Sequence, residues 1–114
     1  MIEDRRKNGF VCKESIRIKK ALTRRVVEEL KGLPRCFVFE VKEVEEYKVR
    51  FPEIICCYYG KFIVFKIKPV NRVTDREIEL LEDMEYCGSR SYIIRHIDDF
   101  VVILDKMKVE LSNF

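Results

Sequence analysis

Residues 51–68 read FPEIICCYYGKFIVFKIK. Two β-branched and aromatic runs, Glu53 to Tyr59 and Phe62 to Lys68, are separated by Gly60 and Lys61, which have the length and composition of a tight hairpin turn. The stretch therefore predicts two neighbouring antiparallel strands. Working upstream, Lys13 to Lys31 places Ile18, Leu22, Val26 and Leu30 four residues apart, with Ile16 and Val27 flanking the same stripe, as a helix with one apolar face requires. Gly32, Leu33 and Pro34 stop that helix. Cys36 to Val44 then alternates, with Phe37, Phe39 and Val41 on one side and Val38, Glu40 and Lys42 on the other, which predicts a first strand.

Downstream, Thr74 and Glu77 form the S/T-x-x-E pattern of a capping box, and Ile78, Leu81 and Met84 follow at helical spacing until Gly88. Ser91 to Arg95 reads as a short strand. Asp98 or Asp99 is the expected cap of a last helix carrying Phe100, Val101, Ile103, Leu104, Met107 and Leu111. The order helix, three strands, helix, strand and helix predicts a single α/β domain with a mixed sheet and an α-β-β-β-α-β core.

Composition agrees with one folded domain: 114 residues, 47% of them hydrophobic, are enough to bury a core without disulfide or metal staples. The longest apolar run, Ile54 to Tyr59, is too short to cross a bilayer, and Met1 to Phe10 is charged where a signal peptide needs apolar residues. An intracellular protein without a membrane partner is expected. The five cysteines, Cys12, Cys36, Cys56, Cys57 and Cys87, contain no C-x-x-C pair and read as small hydrophobes instead of a zinc site or disulfide framework. Dense charge, a single Ala and no Gln or Trp follow the composition trend of proteins from hot environments.

The net charge of +3 is unevenly spread. Residues 1–35 hold eleven basic against five acidic side chains, residues 61–74 hold four basic and no acidic ones, and residues 75–85 hold six acids against Arg76. On the first helix, Lys13, Arg17, Lys20, Arg24 and Lys31 fall within about 60° of one another. These two basic segments are where a polyanion would be held.

With these elements in order, the chain resembles the PD-(D/E)XK nuclease superfamily, and within it the VRR-NUC branch and the archaeal Holliday junction resolvases. Phe51, Pro52, Glu53, Ile54 and Ile55 stand where that superfamily has G-x-P-D followed by two apolar residues. Lys66, Ile67 and Lys68 stand in place of E-x-K, after Gly60, Lys61 and Phe62 in the style of its G-x-F. Glu77 takes the place of a helical Gln, and Lys19, central in the apolar arc of the first helix, takes that of an inward-reaching Glu. Cys87, Gly88, Ile93, Ile94, Arg95, Asp98 and Asp99 resemble the stretch that closes the domain. The likeness runs over about residues 13–105. It implies a restriction-endonuclease-like core, a nucleic-acid partner, DNA in particular, and a homodimer.

The active-site motif is degenerate. The superfamily gathers carboxylates around Mg²⁺, whereas Lys19, Glu53, Lys66 and Lys68 present three positive charges and one negative. The leading expectation is a nucleic-acid-binding protein without metal-dependent catalysis or cofactor, contacting phosphates through Arg17, Lys19, Lys20, Arg24, Lys66 and Lys68. A second reading is a Mg²⁺-dependent endonuclease with relocated carboxylates: Glu53 and Lys68 would be catalytic, and the metal would rest on Glu53 with Glu40 or Glu77, or Glu14 from the first helix. A third is a non-catalytic interaction subunit. His96 and the Tyr58–Tyr59 pair read as structural.

Overall fold

The computed structural model describes residues 12–42 and 51–111. The far end of the expected first strand, at Val44, and the charged stretch Met1 to Phe10 lie outside the described residues. The elements are α1 (Cys12–Lys31), β1 (Cys36–Glu40), β2 (Ile54–Tyr58), β3 (Lys61–Ile67), α2 (Asp75–Tyr86), β4 (Arg90–Ile94) and α3 (Ile97–Leu111). The sheet is mixed and four-stranded, in the order β1-β2-β3-β4. The first three strands form an antiparallel meander, and β4 returns parallel to β3 after α2. A parallel return needs a crossover segment, and α2 supplies it.

Each strand has two faces, and the two are covered differently. Ile54, Cys56 and Tyr58 of β2 and Ile63, Phe65 and Ile67 of β3 belong to the main core, together with Val26 and Leu30 of α1 and Phe100, Leu104, Met107 and Leu111 of α3. The expected α1 stripe therefore packs on the sheet at Val26 and Leu30, with Leu22 half-buried beside them. Ile18 and Ile16, nearer the start, are 41% and 49% exposed, so the buried part of the stripe is shorter than the periodicity predicts. The opposite face carries Val64 and Lys66 of β3, and α2 lies across it. Ser91 Oγ of β4 donates to Leu81 O of α2 at 3.2 Å on that side.

The turn differs from its expected position by one residue. Tyr58 pairs with Lys61, so Tyr59 and Gly60 are the two loop residues and Lys61 begins β3. Both loop residues have positive φ, 51° and 81°, as a type I′ turn demands. Tyrosine at such a φ carries roughly 1–2 kcal/mol of backbone strain. Two contacts hold it there: the Arg35 guanidinium lies 5.5 Å from the Tyr59 ring centroid, and the Tyr58 ring meets it edge-on at 4.9 Å.

The start of α3 also differs. The helix begins at Ile97, so neither aspartate is its N-cap. His96 fills that role, its Nδ1 accepting from Asp98 N at 3.1 Å. Asp99 reaches back to accept from His96 N at 3.1 Å and Arg95 N at 2.9 Å, completing a reciprocal cap.

Candidate functional site

The site lies where β2 starts, β3 ends and α2 begins. Glu53 immediately precedes β2, and the pairing of Ile54 with Phe65 sets it across from Lys66. Its carboxylate takes the place a strand carbonyl would have: Ile67 N donates to Glu53 Oε1 at 2.7 Å. The second oxygen, Oε2, is 2.6 Å from Lys19 Nζ and 3.3 Å from Lys66 Nζ. Lys19 thus reaches from α1 past the sheet end to Glu53, as the resemblance implies for a residue in the place of the inward-reaching Glu.

Glu77 closes the other side. Its position follows from the capping box, since Glu77 N donates to Thr74 Oγ1 at 3.2 Å while Glu77 Oε1 accepts from Thr74 N at 2.8 Å. That geometry turns the carboxylate toward β3. Lys66 Nζ is then 3.1 Å from Glu77 Oε2, and Lys68 Nζ is 3.2 Å from each Glu77 oxygen. Lys66 and Lys68 share the α2 face of β3 because side chains two apart on a strand point the same way.

Three ammonium groups therefore meet two carboxylates, leaving one positive charge. Lys66 is 1% exposed, so its ammonium relies on these carboxylates in place of water. Burial acts to raise the Glu77 pKa, but the Thr74 N–H, Lys66 and Lys68 outweigh it and bring it down to about 2. Glu77 is an anion at neutral pH.

Lys19, Glu53, Lys66, Lys68 and Glu77, the five positions singled out by the nuclease resemblance, converge in one cluster. The other expected site residues do not join it. Glu14 pairs with Arg17 on the surface of α1 at 3.5 Å. Glu40 is exposed at the end of β1 and, paired with Ile54, points to the other face of the sheet. Arg17, Lys20 and Arg24 are exposed on the side of α1 turned away from Val26 and Leu30. Lys66, expected as a phosphate contact, is an enclosed ion and not a surface charge.

The donor set does not fit a divalent cation. Mg²⁺ seeks six oxygen ligands at close to 2.1 Å, and the gap between Glu53 Oε2 and Glu77 Oε2 is filled by the Lys66 ammonium. Among the described residues no three of His, Cys, Asp and Glu gather into a group that could hold a metal ion. Among the same residues no helix is long and apolar enough to cross a membrane. No family model, curated protein or solved structure matches the chain.

Proposed function

We propose that this protein binds nucleic acid without sequence preference through the outward face of α1, and that the lysine–glutamate cluster is an internal ion network, not a hydrolytic centre. The observation that carries the reading is the position of the Lys66 ammonium between Glu53 and Glu77. It consumes the carboxylates that metal-assisted hydrolysis would need, and it consumes the charge of Lys66 that a phosphate would otherwise meet. Lys68 is similarly engaged by Glu77.

On α1 the basic side chains Lys13, Arg17, Lys20, Arg24 and Lys31 are all exposed and share one face. Their span of 18 residues along a helix is about 27 Å, comparable to several phosphate spacings. Glu14 beside Arg17 trims the field but leaves a clear excess of positive charge. The element order and the convergence of the five positions support kinship with the PD-(D/E)XK proteins, as a branch in which lysines stand where acids hold metal. The partner class comes from that kinship together with the stripe.

The test is a salt titration of binding to a labelled DNA duplex of about 20 base pairs between roughly 50 and 200 mM salt. Neutralising three or four phosphates gives a slope of log affinity against log salt of about −3 to −4. A variant combining Arg17→Gln, Lys20→Gln and Arg24→Gln should lose at least about tenfold in affinity and most of that slope, whereas Lys68→Gln should change neither. No binding at the lowest salt would end the reading. Mg²⁺- or Mn²⁺-dependent cleavage that disappears in Glu53→Gln would replace it with the endonuclease.

A further inference from the structure

Among the described residues β1 is one of the two edges of the sheet, opposite β4, and its first four residues, Cys36 to Phe39, carry no charge and no proline. Natural edges are ordinarily protected by lysines, prolines or bulges, and among the described residues of this strand only Glu40 at its end provides such protection. The α2 face of this edge is aromatic: Phe37 is 71% exposed and Phe39 56%. Phe62 continues the same row two strands in, through the pairing of Phe37 with Cys57 and Cys57 with Phe62, and is 50% exposed.

The hydrogen-bond phase of β1 decides what such an edge can take. Val41 N donates to Glu53 O at 2.9 Å and Tyr59 N donates to Arg35 O at 3.1 Å. Residues 35, 37, 39 and 41 thus turn their amides toward β2, and Cys36, Val38 and Glu40 turn theirs outward. An antiparallel copy of the same strand, related by a two-fold axis at Val38, satisfies those outward groups. Val38 pairs with Val38 of the copy, and Cys36 with Glu40 of the copy, through about six main-chain hydrogen bonds. The intervening non-hydrogen-bonded positions then bring Phe37 opposite Phe39 of the copy, with Cα atoms about 4.5 Å apart, where cross-strand side chains pack closest.

We propose that β1 is a self-association edge at which two copies of this chain join their sheets into one of eight strands, centred on Val38. The area sets the strength. A buried phenylalanine covers roughly 150–250 Å², so the exposed parts of Phe37 and Phe39 amount to about 500 Å² over both copies. With the strand's own strip the total stays below the roughly 1,200 Å² of stable complexes. An interface of that size belongs with weak, transient associations. A nucleic acid stacking on the phenylalanines is disfavoured by charge. The α2 helix lies on the same face with Asp75, Glu79, Glu82, Asp83 and Glu85 exposed against Arg76 alone.

Sedimentation of the full chain from about 1 to 300 µM tests the proposal. The mass should rise from 13.7 kDa toward twice that value, and a variant combining Phe37→Thr and Phe39→Thr should weaken association at least tenfold with an unchanged circular dichroism spectrum. Main-chain pairing at Val38 sets the two α-carbons about 5.5 Å apart, within disulfide reach, so Val38→Cys with glutathione disulfide should give a dimer cross-linked through position 38. A wild-type chain that stays monomeric at the highest concentration overturns the proposal. So does equal dimerisation of the double variant, which would place the interface elsewhere. Binding of a single-stranded oligonucleotide that is lost in the double variant, with the mass always monomeric, would assign the face to nucleic acid.

Discussion

Lys66 Nζ lies 3.1 Å from Glu77 Oε2, and both side chains are withdrawn from water. Removing Glu77 leaves Glu53 alone to face the Lys19, Lys66 and Lys68 ammonium groups, and breaking a buried pair typically costs about 3–5 kcal/mol. In Glu77→Gln the amide still serves the capping box, so the loss isolates the charge. The expected destabilisation is about 3 kcal/mol by urea unfolding. Lys66→Met should cost less, because Glu53 keeps Lys19 and the Ile67 N–H while Glu77 keeps Lys68 and the Thr74 N–H. A reversed order would show that the carboxylates, not the ammonium, depend on the pair.

The depressed Glu77 pKa fixes the sign of the acid response. A carboxyl whose folded pKa is about 2, against an ordinary 4.5, gives stability that is complete above the ordinary value and is lost as pH falls toward 2. Unfolding free energy should therefore drop between about pH 5 and pH 2 in the wild type. In Glu77→Gln the drop should be smaller over the same window, read from urea midpoints at successive pH values.

Gly60 has φ of 81° and open space where a Cβ would stand, so Gly60→Ala introduces backbone strain without a clash. The expected loss is about 1 kcal/mol, visible as a shift in thermal midpoint of several degrees. A larger loss would mean that the turn residue contributes more than its backbone conformation.

The cysteines should separate by reactivity. Burial, with Cys36 and Cys57 beside it, pushes the Cys56 thiol far above its ordinary pKa, and Cys36 is raised by burial as well, whereas Cys87 is exposed. The thiolate is the reacting form. Among Cys36, Cys56, Cys57 and Cys87, alkylation of the native protein near pH 8, followed by peptide mapping, should label Cys87 first and Cys56 only after unfolding.

Legibility varied with how local the determining forces were. The Thr74–Glu77 capping box is encoded within four residues, and its two hydrogen bonds occur as the pattern predicts. Lys19 was legible as inward-facing because its position among Leu22, Val26 and Leu30 is a matter of helical angle alone. The hairpin turn lies one residue earlier than the Gly60–Lys61 pattern predicts, since Tyr is a poor turn residue and its stabilising partner, Arg35, is distant in sequence. His96 as the cap of α3 was hidden for a related reason: aspartates adjacent to the helix start attract the assignment, while an imidazole in that role is uncommon. In the site, charge type was readable but pairing was not. The engagement of Lys66 by two carboxylates from different elements depends on the register of β2 against β3 and on how α2 packs.

Lys66 sits between Phe65 and Ile67, both fully buried on the other side of the sheet. If β3 slid by one residue against its neighbours, alternation would carry the ammonium into the apolar layer formed with α1 and α3, and Phe65 would come to face the two carboxylates. An unpaired buried ammonium costs several kcal/mol, an amount comparable to the whole stability of a domain this small. The ion cluster therefore acts as a checksum on strand alignment: it adds little to the favourable energy of the correct arrangement and makes the nearest wrong one untenable.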